Sequence, residues 1–252
     1  MFGEQLMGAF ITTVLNDNGY SVVFDNERVN ELVDCPIYDA EKDKDAILFV
    51  PHRDRRPKHT PLEHKERVYR FNMYTDILDQ FKQQFNITKP IKITLDHVPV
   101  KFYDMPEVPS VDVVMTTSCQ HPLSYKTWPP KYFTRLKKKL RKNNITFIDA
   151  DKRNIRDIEF LNYVAKCKVY LSLDTGAAHY ASQVGKNKTL ILQSGFTKYE
   201  FWAQYYKFDH ITYPMDCAPC HLRGPQNECQ HRHKCMRNMT PRIIFKKIKE
   251  YL

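Results

Sequence analysis

Short apolar segments alternate with amphipathic segments over residues 111–192, and this alternation constrains the fold more than any other feature of the chain. Period-two and period-3.6 patterns separate the two kinds of element. Strict strand–helix alternation with short connections predicts a parallel, doubly wound α/β sheet, which binds ligands beyond the carboxyl ends of its strands. The predicted strands are residues 111–115, 145–148, 169–172 and 189–192, and the predicted helices are 130–142, 155–165 and 176–184.

The N-terminal half carries weaker signals of the same kind. Asn18-Gly19 should end the first helix, and three prolines between residues 99 and 110 indicate a linker. We therefore expect an N-terminal lobe of residues 1–105 and a C-terminal lobe of residues 106–252. Helices are predicted here at residues 5–16 and 63–85, and strands at 21–24, 46–50 and 91–95.

Composition limits the possible partners. The chain has 252 residues, 42% of them hydrophobic, which is enough to bury one large core or two small ones. A net charge of +10 favours an anionic partner: nucleotide phosphate, acidic glycan, lipid headgroup or nucleic acid. No apolar run approaches the roughly 18 residues that span a bilayer, and the first residues lack a basic leader pattern. We expect a cytoplasmic protein.

The sharpest local motif is Asp174-Thr175-Gly176 followed by His179, where a predicted strand ends and a helix begins. The first amides of a helix have no partner within it, and a glycine lets a ligand approach closely, which suits a diphosphate. His179 lies four residues after Thr175, on the same helix face. The alternative is an ordinary capped helix, with Asp174 as N-cap and His179 on the surface.

A second motif follows the first strand of the predicted sheet. It comprises Thr116-Thr117-Ser118 and then Lys126-Thr127-Trp128-Pro129, which precedes a helix. Hydroxyls and a lysine at the carboxyl end of a strand can bind phosphate, and proline is favoured in a first helical turn. The alternative is a loop with a solvated Lys126 and a packed Trp128. Both motifs should face one crevice.

Four of the seven cysteines crowd into one tail segment, residues 216–238. Their spacing offers four thiolates for a tetrahedral zinc or iron ion, and the polar composition of the segment suggests that metal would order it. Free thiols and disulfides are the alternatives. The candidate ligands are Cys217, Cys220, Cys229 and Cys235.

In order and spacing, these motifs resemble the C-terminal lobe of the heptosyltransferases, glycosyltransferase family 9. The resemblance rests on Lys126-Thr127-Trp128-Pro129, on Asp174-Thr175-Gly176 with His179, and on Cys217-Ala218-Pro219-Cys220 in the tail. It covers residues 111–252. In the N-terminal half, Gly3-Glu4 resembles the family's Gly-Asp turn.

The resemblance implies a GT-B architecture of two Rossmann-like lobes, here with a shortened N-terminal lobe and a Cys-rich C-terminal tail. It implies a nucleoside-diphosphate sugar as donor, with ADP as the nucleotide in much of the family, and inversion without a catalytic metal. Asp174 would order its turn, and Glu4 would be the general base. The donor phosphates would lie near Thr116, Thr117, Lys126, Thr175, Gly176 and His179.

The acceptor stays open at this point. A surface glycan, lipopolysaccharide, a protein or a modified base of DNA would each fit, and association with the inner membrane is compatible with the first two. The lysines and arginines of residues 131–142 form either a solvated helix face or a polyanion-binding surface. A non-enzymatic zinc-ribbon protein that binds nucleic acid is the alternative of another class, but it leaves both phosphate motifs unexplained.

Overall fold

A computed structural model describes residues 2–24, 47–49, 73–93, 107–119, 126–152, 157–184, 188–196, 208–220, 229 and 231–252. The chain divides into two compact units, Met1–Phe102 with Glu200–Tyr206 and Tyr103–Tyr199 with Lys207–Leu252. Among the described residues, no helix combines the length and apolar character needed to cross a membrane.

The described residues of the first unit form two helices and two short strands: α1 (Phe2–Asp17), β1 (Val22–Phe24), β2 (Ile47–Phe49) and α2 (Met73–Gln84). β1 and β2 pair in parallel, and α1 packs on β1 and α2. Gly19 follows α1 with φ +85°, a left-handed conformation that glycine adopts without a Cβ penalty, so the predicted helix end is confirmed. The core includes Phe10, Ile11, Leu15, Val22, Leu78 and Phe81.

The strand predicted at residues 91–95 is absent from its described part, residues 91–93. The side chain of Asn18 binds both backbone groups of Lys92: its Nδ2 donates to the carbonyl oxygen at 2.7 Å, and its Oδ1 accepts from the amide at 2.8 Å. The polar groups that a strand would offer to a neighbour are thus satisfied by a side chain.

The second unit is built on a five-stranded sheet of β3 (Val113–Thr116), β4 (Phe147–Asp149), β5 (Val169–Leu173), β6 (Lys188–Leu192) and β7 (Asp209–Ile211). All pairings are parallel, and the strand order is β4-β3-β5-β6-β7. The predicted α/β class is therefore confirmed. Its helices are α3 (Pro130–Lys142), α4 (Asp157–Lys166), α5 (Gly176–Val184), α6 (Lys234–Asn238) and α7 (Pro241–Lys249).

Helices cover both faces of this sheet, because successive side chains of a strand point to opposite faces. On one face, Leu171 of β5 shares a core cluster with Leu136 of α3 and Ile248 of α7. On the other, the ring of the adjacent Tyr170 meets Phe160 of α4 edge-on at 5.7 Å, and α4 packs on α5. The result is a three-layer, doubly wound unit.

Trp128 ties the start of α3 to the tail. Its side chain is fully buried against Tyr132 and Phe133, and its Nε1 donates to the carbonyl oxygen of Met239 at 2.7 Å. The following prolines place Pro130 in the first turn of α3, where the missing N–H costs nothing. Trp128 is thus a structural anchor, the packed residue that the alternative interpretation of its motif expected.

Candidate functional site

The strand order of the second unit reverses between β3 and β5, since the chain leaves β3 toward β4 on one side and later returns to β5 on the other. At such a switch point the flanking loops diverge and leave a crevice at the carboxyl ends of the strands, where doubly wound sheets bind their ligands. Thr116 pairs with Ser172 in register. The residues that follow these two strands therefore emerge side by side.

Lys126 and Asp174 meet at the carboxyl end of β5. The Lys126 ammonium lies 3.1 Å from Oδ2 of Asp174, and their side chains are 15% and 2% exposed. The same ammonium stands over the ring of Phe196 at 5.3 Å from its centroid. Two motifs separated by 48 residues of sequence are thus brought into one polar cluster directly before α5.

His179 lies one turn into α5 and is buried, with 1% of its side chain exposed. Its ring meets Phe208 edge-on at 5.8 Å, and its Nε2 lies 3.9 Å from Oδ1 of Asp174. Burial, and then the positive charge of Lys126, hold the pKa of His179 well below its usual value. The imidazole is therefore neutral at physiological pH, and its approach to Asp174 is not an ionic pair. The alternative expectation of a surface histidine is wrong.

The N-terminus of α5 points its backbone dipoles into this cluster. Gly176 is the first residue of the helix, and the hydroxyls of Thr175 and Ser172 lie 3.4 Å apart just before it. A helix start carries about half a positive charge, and Asp174 and Lys126 together contribute none. An anion at this point would meet the helix end and one lysine.

At the carboxyl end of β3, the predicted phosphate-binding groups are engaged within the protein. The hydroxyl of Thr116 shares a hydrogen bond of 2.6 Å with that of Tyr170. The amides of Thr117 and Ser118 both donate to one carboxylate oxygen of Asp151, the latter at 2.7 Å. Two successive amides that converge on one anion form a nest, and here a side chain of the protein occupies it.

A second carboxylate supports the same loop. Asp149 accepts a hydrogen bond from the Thr117 hydroxyl at 3.3 Å and pairs with the ammonium of Lys137 at 2.9 Å. Sequence reasoning missed Asp149 and Asp151. Both lie at or just after the carboxyl end of β4, so the strand-end rule that selected Thr117 also applies to them.

Glu4, the predicted general base, lies in the first turn of α1. The helix begins at Phe2, three residues before the predicted start, so Gly3 and Glu4 belong to the helix and do not form a turn ahead of it. The side chain of Glu4 lies outside the described residues.

The tail cysteines are free thiols: Cys217, Cys220 and Cys229 are half-buried, and Cys235 is buried. Burial, and then neighbouring Cys217, raise the pKa of Cys220 to about 12. In the described part of the chain, which includes all four cysteines, no set of three or more His, Cys, Asp or Glu side chains is placed to hold a metal ion. The predicted structural zinc or iron is not supported, and neither is the zinc-ribbon alternative that needs the same ligands.

Burial orders the end of this tail instead. Cys235, Met236 and Met239 join the core cluster, and the Cys220 amide donates to the carbonyl oxygen of Gly195 at 2.8 Å. A Cβ on Gly195 would lie 3.2 Å from that of Ala218, so the missing side chain permits this close approach. The expectation of a segment too polar to order itself overlooked Met236 within the segment and Met239 directly after it.

The chain is similar to known proteins in its structure, and the comparisons of its sequence found no match. No protein-family model matches the sequence, and no curated protein matches it. Similar solved structures are heptosyltransferases and related glycosyltransferases, the type that the motifs resemble. TibC of enterotoxigenic E. coli, described as an iron-containing dodecameric glycosyltransferase, superimposes with a TM-score of 0.44 at 12% identity over 60% of this chain and 49% of its own.

Two E. coli structures give similar values. ADP-heptose lps heptosyltransferase II has a TM-score of 0.44 and 10% identity over 66% of this chain and 56% of its own. Heptosyltransferase WaaC with ADP has a TM-score of 0.40 and 14% identity over 59% of this chain and 47% of its own. The chain thus matches about half the length of these structures. Because such values do not define an activity, the site geometry and the motif spacing carry the functional assignment.

Proposed function

We propose that the protein is an inverting glycosyltransferase that binds a nucleoside-diphosphate sugar at the carboxyl ends of β3 and β5. In this proposal the donor lies on residues 106–252, and residues 1–105 hold the acceptor. An ADP-sugar is the first donor to try, because related structures are described with ADP and with ADP-heptose.

The observation that carries the proposal is the meeting of Lys126 with Asp174 directly before α5. It places a partly exposed positive charge beside a helix N-terminus at the switch point of a parallel sheet, and each of these three features favours a phosphate ligand. The order of the motifs along the chain, which resembles that of the heptosyltransferases, supports the same ligand.

The chemistry follows from where charge develops. As the bond between the anomeric carbon and the diphosphate breaks, its electrons pass to the leaving phosphate oxygen. The α5 amides near Thr175 and Gly176 and the Lys126 ammonium stabilise that charge. His179 is neutral, so it hydrogen-bonds without adding charge. Thr116 and Thr117 line the same crevice, and Asp174 holds the Lys126 ammonium beside the leaving phosphate.

The acceptor hydroxyl attacks the anomeric carbon from the face opposite the leaving group, which inverts its configuration. Its proton passes to a general base, for which we propose Glu4. The acceptor we propose is anionic, in keeping with the net charge of +10: a surface glycan, lipopolysaccharide, a protein or DNA. The cytoplasm, or its face of the inner membrane, is the proposed location.

The test is release of nucleoside diphosphate from a panel of nucleotide sugars, with mixed acceptors. We expect turnover with one nucleotide class. Glu4→Gln should lower that turnover by about 100-fold, the typical weight of a general base, and leave donor affinity nearly unchanged. The proposal would be refuted if no donor is bound and none releases its nucleoside diphosphate. Full turnover of the Glu4→Gln variant would instead assign the general base to another residue.

A further inference from the structure

Two neighbouring helices on one face of the sheet carry an excess of positive charge. α3 contains seven lysines and arginines and α7 contains four, and neither helix sequence contains an acidic residue. The whole chain has a net charge of +10, so these two helices hold more positive charge than the chain's net. The helices pack against each other, and the Lys139 ammonium of α3 lies 5.7 Å from the ring centre of Phe245 in α7.

Most of the exposed cations of each helix form one stripe, and on α3 Lys139 and Arg141 are exposed beside it. On α3 the stripe is Lys131, Arg135, Lys138 and Lys142, with successive spacings of four, three and four residues. Such spacing keeps side chains on one side of a helix. Leu136 and Leu140 occupy the opposite side and are buried. The stripe therefore points away from the core.

α7 repeats this arrangement. Arg242, Lys246 and Lys249 are exposed at spacings of four and three residues, and Ile244 and Ile248 are buried on the opposite side. Because both helices pack on the same face of the sheet, their stripes lie on one outer surface. We call it the α3–α7 face.

Helix stability accounts for only part of this charge pattern, because the cations of the last turns, among them Lys142, Lys246 and Lys249, interact favourably with the helix dipole. Cations in a first turn oppose the helix dipole, and like charges four residues apart repel. Nevertheless Lys131 and Arg242 lie in first turns that contain no acidic residue. The first-turn cations lower the stability of isolated helices, so a bound anion is the simplest reason for their presence.

We propose that the α3–α7 face binds the phosphate backbone of a nucleic acid. The α3 stripe is about 16 Å long, the length of about five phosphates along one strand of duplex DNA. Basic residues clustered along one helix face are the electrostatic footprint of such binding. A membrane is a weaker fit, because basic helices bind lipid by inserting a continuous apolar face, and here the apolar side chains of both helices are mostly buried in the core, with Ile243 of α7 48% exposed.

The inference is independent of the proposed sugar transfer, because the face uses none of the residues assigned to the donor. The experiment measures fluorescence anisotropy of a labelled 20-base-pair DNA duplex at salt concentrations from about 50 to 200 mM. We expect micromolar affinity for any sequence, falling steeply with salt. Anionic phospholipid vesicles, tested by flotation at the same salt, should bind more weakly.

Three double variants, each changing the net charge equally, locate the site. R135E/K138E on α3 and K246E/K249E on α7 should each weaken DNA binding at least about tenfold at about 100 mM salt. Each should also reduce, by about two, the slope of the logarithm of the binding constant against the logarithm of the salt concentration. K89E/K92E, two exposed lysines of the first unit, is the matched control and should change affinity by less than about threefold. If a charge reversal unfolds the protein, the neutral R135Q/K138Q and K246Q/K249Q pairs replace it.

Three results would overturn the proposal: no binding of the duplex by the wild-type protein, equal losses in the control and the face variants, or binding of vesicles without binding of DNA. Calorimetric titration with ADP is run on the same variants. Because none of the substituted residues is assigned to the donor, ADP affinity should stay unchanged, so failure of this inference is distinguishable from failure of the donor site.

Discussion

The carboxyl ends of β3 and β5 lie side by side at the switch point, yet they use their polar groups differently. After β3, the amides of Thr117 and Ser118 are held by a half-buried carboxylate, that of Asp151. After β5, Asp174 is buried and holds a lysine that is partly exposed. At one end the amides are bound by a carboxylate of the protein, and at the other a partly exposed ammonium is presented.

This difference indicates where a diphosphate would bind. A phosphate at β3 would have to displace Asp151 from two amides, whereas at β5 it would add to a lysine and a helix N-terminus. The donor phosphates are therefore expected closer to Lys126 and Thr175 than to Thr117. The following predictions test how strongly the interactions at the carboxyl end of each strand stabilise the protein.

The largest expected effect is the loss of stability when Lys126 is removed. Lys126→Ala leaves the buried Asp174 without its cation, which should lower the free energy of unfolding by about 3 kcal/mol. The measurement is urea denaturation followed by the fluorescence of Trp128, with the only other tryptophan, Trp202, replaced by phenylalanine. Lys168→Ala is the control, since Lys168 is 56% exposed and pairs with Asp112 at 2.8 Å. It should cost less than about 1 kcal/mol. Equal losses of unfolding free energy in the two variants would contradict a buried role for the Lys126–Asp174 pair.

The second effect is on the pH dependence of stability. Burial lowers the pKa of His179, so the unfolded chain binds a proton that the folded chain excludes, and stability falls as pH drops from about 7 toward the folded pKa. The slope from one such group is at most about 1.4 kcal/mol per pH unit. His179→Gln should flatten the dependence of stability on pH between about pH 7 and pH 5.

His233 is the control: it is half-buried, and burial and Arg237 lower its pKa too. His233→Gln should flatten the slope less, and the reverse order would contradict the burial assigned to His179.

The smallest effect concerns the β3 end. Asp151→Ala removes the acceptor of two amides and should cost about 1–2 kcal/mol, while Asp151→Asn keeps an oxygen acceptor and should cost less. Hydrogen exchange of the Thr117 and Ser118 amides, followed by NMR, measures this directly. Exchange should accelerate most in the alanine variant. Unchanged exchange would show that Asp151 does not close this end.

Sequence patterns predicted what is local. The periodicities of α3, α4 and α5 and of β3 to β6 arise within short segments, so the doubly wound class followed from them. β7 was not predicted, because it is three residues long and begins with the polar Asp209-His210. Its position depends on pairing with β6, a contact that no local pattern records.

Within the candidate site, the same limit separates what was predicted from what was missed. The strand-end rule selected Thr117 and Asp174 because their positions depend only on where strands stop, and Lys126 was selected because it lies between a predicted strand and the helix that follows it. The burial of His179 depends on Phe208, and the closing of the β3 loop depends on Asp151, both distant in sequence. The order of the tail likewise depends on Met236 and Met239 reaching the core.

Calorimetric titration of ADP into the wild-type, Lys126→Ala and Lys168→Ala proteins tests the central claim, a diphosphate site beside Lys126, most directly. A phosphate-paired ammonium contributes about 1.5–3 kcal/mol. The wild-type and Lys168→Ala proteins should therefore bind ADP equally, and the Lys126→Ala protein, once circular dichroism has confirmed that it is folded, should bind ADP about 10- to 160-fold more weakly. Equal ADP affinity in all three proteins, or no binding by the wild type to ADP or any other nucleoside diphosphate, would contradict the account.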